Sequence, residues 1–307
     1  MSEASLIVVA VAVLVMVCPL LGAEIQCVAL LSDLEGNRER FDHFLAHHRA
    51  FYLGDDRRWH LRSDAYFVFG GDAPDRFPGE RHVLRELLRL KAESPDRVIL
   101  IAGNRDVNKL RLPLELSDVA MKTSPRKGKR EYHVWCDEQK RVDSKATRLR
   151  WMLAKTMGSP DAFELRRNEL ACETAVDQCA VSDQAVVDSY LEDACPGGLF
   201  HRYLKAACLM HRQGQTLYVH AGMPQASLGH VPGERHRVAR LDEWMKRLNE
   251  WYQEQLHTWE TAYSSWDGSA PRPADALIAY AERWGQQPMN PFSVLYGRST
   301  DVEGKVD

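Results

Sequence analysis

Four stretches of this chain end in side chains that bind cations or anions. Residues 28–37 read VALLSDLEGN, 65–72 read AYFVFGGD, 98–106 read VILIAGNRD and 215–222 read QTLYVHAG. Each is an apolar run that stops at polar groups: Asp33 and Glu35, then Asp72, then Asn104, Arg105 and Asp106, then His220. Carboxylates, an amide oxygen and one imidazole brought to a common point are a donor set for a divalent cation such as Mn²⁺, Mg²⁺ or iron, not for a thiolate zinc site. Asp75 and Arg76 follow the second acid closely, and a planar guanidinium suits the gripping of phosphate. Arg105 stays protonated at any accessible pH, so it can hold an anion but cannot act as a general acid. Asp106 beside it can orient Arg105 or take the proton-donor role.

These groups act together only if the backbone brings them to one place. Short apolar runs bounded by turn residues are buried strands. Between the first three lie two helical patterns. Asn37 can cap a helix in which Phe41, Phe44, Leu45 and His48 recur at i, i+3, i+4 and i+7. From Gly79 to Glu93, Val83, Leu84, Leu87, Leu88 and Lys91 share a face, and Ser94-Pro95 ends the run. A β-α-β-α-β order predicts parallel strands whose polar ends share one edge, where the ligand sites of open α/β sheets lie. His220 is expected at a fourth strand tip. His43, His47 and His48 have no partner acid and belong to a solvated face.

In this order Asp33, Asp72, Asn104 and His220 resemble the metal ligands of the calcineurin-like metallophosphoesterases. Gly71-Asp72-Ala73-Pro74-Asp75-Arg76 and Val219-His220-Ala221-Gly222 are most similar to the phosphoprotein phosphatase branch. Its blocks read Gly-Asp-x-His-Gly, Gly-Asp-x-Val-Asp-Arg-Gly, Gly-Asn-His-Glu and His-Gly-Gly. The resemblance spans residues 25–112 and 215–224. It implies an α/β fold with a central β-sandwich flanked by helices. It also implies two divalent ions (Mn²⁺, Fe²⁺ or Fe³⁺, Mg²⁺ or Zn²⁺), bridged by Asp72, with Asp33 and Glu35 on the first and Asn104 and His220 on the second. Asp75, Arg76, Arg105 and Asp106 are then catalytic positions, Arg76 matching the phosphate-gripping Arg. A metal-activated water would attack a phosphate monoester in line, the substrate being a phosphoprotein carrying phosphorylated Ser, Thr or Tyr. Two positions depart from the pattern. Glu35 stands where the family has a metal-binding His, and Arg105 where most members have a His that protonates the leaving group. The family's closing Gly-His strand end is not found: Gly229-His230 follows too closely, and His236 and His257 lie on helical patterns. Either the second ion is short of a ligand or the chain continues past residue 307. The alternative of a different class is a catalytically inactive phosphatase-like binding or scaffold protein at a membrane.

The remaining chain sets the context. With 307 residues, 45% apolar content and a net charge of −3, residues 24–307 can bury the core of one large α/β domain, and no polyanionic partner is implied. Residues 4–23 carry no charge, so residues 1–23 read as a signal peptide or membrane anchor, sending the protein to a membrane or the secretory pathway. Cys18 lies in that run, and the other six cysteines are free to pair in such a compartment, with the connectivity open. Residues 113–197 read as a helical insertion that caps the metal site, or as a solvated elaboration. Its basic stretch KTSPRKGKR lacks interleaved aromatics, so nucleic acid is not an expected partner. Residues 199–212 read as a helix leading into the His220 strand. Leu241, Trp244, Leu248, Trp251, Leu256 and Trp259 keep helical spacing and are expected to pack as core.

Overall fold

The computed structural model describes residues 27–125, 129–282 and 289–297. The apolar segment 1–23 lies outside them, and among the described residues no helix is long and apolar enough to cross a membrane. The chain is mixed α/β, about half helix, with small sheets. Its strands are β1 (Cys27–Leu31), β2 (Phe51–Leu53), β3 (Trp59–Leu61), β4 (Ala65–Phe69), β5 (Val98–Leu100), β6 (Met210–Gln213) and β7 (Thr216–Val219).

The sheet that carries the site is built by two helical crossovers. Helix Arg38–His47 begins at Asn37, whose side chain accepts from Arg40 N, and buries Phe41 and Leu45. Helix Glu80–Glu93 buries Val83, Leu84, Leu87, Leu88 and Leu90. Each return places the next strand parallel to the last, so β4 lies between β1 and β5 and both pairings are parallel. Leu31 pairs with Phe69, and Phe69 with Leu100. The three strands therefore end level, and the polar residues after each emerge along one edge.

Two departures from expectation concern strands. The first connection also holds β2 and β3, an antiparallel hairpin whose three-residue strands are too short to leave a periodic signal. The expected helix 199–212 stops at Ala206, and β6 begins at Met210. Backbone pairing ends the helix: Cys208 N donates to Leu100 O at 2.9 Å and Ala102 N to Cys208 O at 2.9 Å. Asn249 then accepts from Leu209 N and Met210 N and donates to Met210 O. The β7 strand pairs antiparallel with β6 and not with the parallel sheet. The described strands thus form three small sheets, where the resemblance implied one central sandwich.

Helix Leu241–Ala262 buries Trp244, Leu248, Trp251, Tyr252, Leu256 and Trp259, and Trp259 Nε1 donates to Leu110 O at 3.0 Å. The aromatic stripe is core, as its spacing implied. The six described cysteines are all free thiols, so the pairing that a secretory route allows is not made among them.

The described part of residues 113–197 is largely helical, and ion pairs fasten it to helix Glu80–Glu93. Buried Arg166 reaches Glu80 at 2.7 Å and Asp193 at 2.8 Å, with its guanidinium 4.2 Å from the Tyr190 ring centroid. Gly79 offers that helix no side-chain cap. Glu169 supplies one from outside: its Oε1 accepts from Arg81 N at 3.0 Å and His82 N at 3.2 Å. Burial and the neighbouring Glu80, against the pull of Arg166, push the Glu169 carboxyl up to about 7 from 4.5. The folded protein then keeps a proton that the unfolded chain releases near 4.5, so this group's contribution to stability is full below that pH and is lost as pH rises through 7. Glu169→Gln is expected to remove that dependence. The wild-type melting temperature, measured relative to the variant, should fall between pH 5 and 8, and a constant difference would refute the assignment.

Candidate metal centre

Backbone hydrogen bonds lace together the loops that follow β1 and β4. Gly70 N donates to Leu31 O at 2.8 Å, Asp33 N to Gly71 O at 3.0 Å, Glu35 N to Asp72 O at 2.9 Å and Gly36 N to Ala73 O at 2.6 Å. Asp33 (φ 53°), Glu35 (φ 48°), Asp72 (φ 56°) and Asp75 (φ 122°) all have positive φ, a region that is costly for any residue with a Cβ. Four acids held this way at two adjacent strand tips match the pattern in which backbone strain collects at binding sites. Gly71, at φ 96°, has no room for a side chain: a Cβ there would lie 2.7 Å from Gly103 N and 2.8 Å from His220 Nδ1.

Asp106 ties in the third loop. Its carboxylate accepts from Asp72 N at 3.0 Å, Ala73 N at 2.9 Å and Gly103 N at 2.6 Å. Burial and the Asp72 charge push its carboxyl up to about 7 against these amides. Both oxygens face backbone, so Asp106 acts on the site by positioning Asp72.

The ligand atoms of Asp33, Asp72 and His220 lie within 4.8 Å of one another and could hold a metal ion. Asn104 joins them, its Oδ1 3.1 Å from His220 Nε2. His220 Nδ1 lies 2.8 Å from Gly70 O, and a carbonyl only accepts, so Nδ1 carries a proton. In the neutral ring Nε2 is then a lone pair, facing Asn104 Oδ1 and, at 3.4 Å, Asp72 Oδ1. Acceptors gathered in this way favour a cation among them, either a proton on Nε2 or a metal ion. The same field appears in the titration of these groups. Burial raises the Asp72 carboxyl, against His220 and the Arg105 amide. Burial opposes charging of His220, but Asp72, Gly70 O and Asp33 outweigh it and hold its pKa above the usual value. Asp33 is exposed, with Ser32 Oγ donating to its Oδ2 at 2.5 Å, and it gives the cluster an open side.

Glu35 sits elsewhere. Its Oε1 is 2.8 Å from Arg105 Nε and its Oε2 is 3.2 Å from Arg76 Nη1. Arg105 Nε also lies 3.4 Å from Asp72 Oδ2, while Nη1 reaches Asp75 Oδ2 at 3.2 Å, Met157 O at 2.9 Å and Ser159 Oγ at 3.1 Å. Burial opposes the charge on Arg105, but Asp75, Glu35 and Asp72 outweigh it and raise its pKa further. Arg76 is half exposed and points Nε at Gly158 O at 3.4 Å. The segment 157–159 of the helical region therefore forms a wall beside both arginines.

Asp75 faces inward, away from any ligand. Its Oδ1 is 2.5 Å from Lys109 Nζ, and both side chains are fully buried. Lys109 escaped the sequence reading, although its place four residues after Arg105 puts it one helical turn further along the same loop-to-helix run. Lys109→Ala leaves Asp75 with Arg105 alone. Breaking a buried pair costs about 3–5 kcal/mol, and the remaining guanidinium should hold the loss near the lower figure, read as a fall in denaturation midpoint. Lys109→Met, which keeps the packing, should lose the same charge with a smaller drop. A midpoint unchanged in both variants would show that the pair does not support the fold. The chain matches no model of a known protein family and no curated protein.

Proposed function

We propose that this chain is a metal-dependent phosphoesterase acting on phosphate monoesters, with phosphorylated protein as the substrate class its motifs suggest. The observation that carries the reading is the meeting of Asp33, Asp72, Asn104 and His220 around one point with two arginines beside it. A divalent ion held there supplies Lewis acidity, neutralising phosphate charge and acidifying a water. Asp33, Asp72 and His220 would hold it with Asn104, and Gly70 O fixes the tautomer of His220. Arg76 and Arg105, both braced by Glu35, would offer positive charge to the phosphoryl oxygens. Arg105 cannot protonate the departing oxygen, so esters with good leaving groups, aryl phosphates above all, are the favoured substrates. The fold is proposed to be a reduced relative of the calcineurin-like fold, carried to a membrane or the secretory pathway by residues 1–23.

A non-enzymatic scaffold is the second reading, and one observation favours it: both Glu35 oxygens are taken up by arginines. The test is hydrolysis of p-nitrophenyl phosphate by the full-length chain in the presence of Mn²⁺, Mg²⁺, Fe²⁺ or Zn²⁺. Turnover that a chelator abolishes and added metal restores is expected. No turnover with any of these ions would end the enzyme reading and leave the scaffold.

A further inference from the structure

We infer that this centre takes one divalent ion per chain and that the Arg105 guanidinium stands where a second would be; the inference rests on the metal reading above. The two oxygens of Asp72 face different partners. Oδ1 accepts from Arg105 N at 2.9 Å and lies 3.4 Å from His220 Nε2, on the side of the cluster with Asp33 and Asn104. Oδ2 looks toward Arg105 Nε at 3.4 Å. A carboxylate that bridges two cations presents its oxygens in this way, and here the second cation is part of the polypeptide.

The surroundings of that second position agree. Glu35, the acid that with Asp72 could hold another ion, is spent on the Arg105 guanidinium at 2.8 Å, and the buried Asp75 on the same guanidinium at 3.2 Å. Arg105 is further fixed by Met157 O and Ser159 Oγ, so it is not a loose side chain that an incoming ion would brush aside. Charge points the same way. Glu35 and Asp75 already face three cations, Arg76, Arg105 and Lys109, so they have no charge to spare for an ion, and Asp33 and Asp72 are left to balance a single divalent one. A second ion at the Oδ2 side would press against the partly buried Arg105 charge, with the neighbouring carboxylates already engaged by it.

A centre of this kind keeps the electrostatic function of a two-ion clamp with one exchangeable ion. An ion held by Asp33, Asp72, Asn104 and His220 would supply Lewis acidity on one side of Asp72, and the Arg105 guanidinium offers a permanent positive charge on the other. The test is the stoichiometry and electron paramagnetic resonance of full-length protein equilibrated with excess Mn²⁺. One Mn²⁺ per chain with the spectrum of an isolated ion is expected. Two ions, or an exchange-coupled pair, would overturn the inference and leave the functional proposal standing; no bound ion would overturn both. Glu35→Gln supplies a separate measurement. If Glu35 serves only the arginines, the loss of Mn²⁺ affinity stays within the roughly 100-fold that an outer partner of a ligand can cost, whereas a larger loss would mark Glu35 as a ligand and refute the arrangement. Arg105→Ala, where it folds, is expected to admit a second ion and produce the coupled spectrum. A folded Arg105→Ala that still binds one isolated ion would show that Arg105 does not hold that place.

Discussion

Replacing Asp72 with asparagine is expected to lower Mn²⁺ affinity by roughly 100-fold or more, since losing even an outer partner of a metal ligand costs about 10–100-fold. The loss should show in the melting curve before it shows in any assay. An ion that binds only the folded state stabilises it in proportion to the logarithm of its concentration over Kd, about 2.7 kcal/mol at a hundredfold excess. Wild-type protein should therefore melt at a higher temperature as Mn²⁺ is added, and the variant should not respond over the same range. Without metal the two should melt within a few degrees of each other, because burial already penalises the Asp72 charge and the amide keeps the side chain's size. A variant that responds to Mn²⁺ like wild type would remove Asp72 from the centre, and with it the phosphoesterase proposal.

Arg105→Ala should lower kcat/KM for phosphate esters by about 10²–10³, the loss found when a donor aimed at transition-state charge is deleted. The assay belongs at a Mn²⁺ concentration that fills only the first position. Because the side chain also pairs with Glu35, Asp72 and Asp75, a lowered melting temperature is expected alongside. The diagnostic variant is therefore Arg105→His, read through leaving-group dependence. A guanidinium cannot donate its proton at neutral pH, but an imidazole can. Histidine should narrow the gap between p-nitrophenyl phosphate and a phosphoserine peptide by restoring an acid for the poorer leaving group. Wild-type rates that do not depend on leaving-group pKa, or a gap unchanged by histidine, would show that Arg105 has no part in bond cleavage. Unchanged kinetics in folded Arg105→Ala with only a lower melting temperature would reduce Arg105 to a structural strut.

Much of the scaffold could be read from local pattern because its determinants are local. An apolar run ending in Asp33, Asp72 or Asn104 marks a strand and its tip, and the 3.6-residue spacing of Phe41 and Leu45 or of Val83, Leu84 and Leu87 marks the crossover helices. Crossovers oblige the strands to be parallel, and parallel strands of equal register bring the tips to one edge, as the Leu31, Phe69 and Leu100 alignment does. The β2–β3 hairpin and the early end of the helix at Ala206 lay beyond such reasoning. Three-residue strands have no period, and the Cys208 pairing with Leu100 is made between residues more than a hundred positions apart.

The chemical types at the site were likewise set by composition: an acid, an amide, a histidine and two arginines stand at strand ends whatever the packing. Which of them face one another was decided only in three dimensions. Glu35 and Asp33 are two residues apart, yet one meets Arg76 and Arg105 while the other meets Asp72 and His220. Asp75 and Asp106 look from the sequence like groups ready for a substrate, yet they turn to Lys109 and to backbone amides. Sequence spacing specifies that a carboxylate will be near a strand tip. Its partner depends on positive-φ turns and on distant residues such as Met157 and Ser159 that supply the opposite wall. A charged side chain in a confined, weakly polar space goes to whichever complementary group packing places closest.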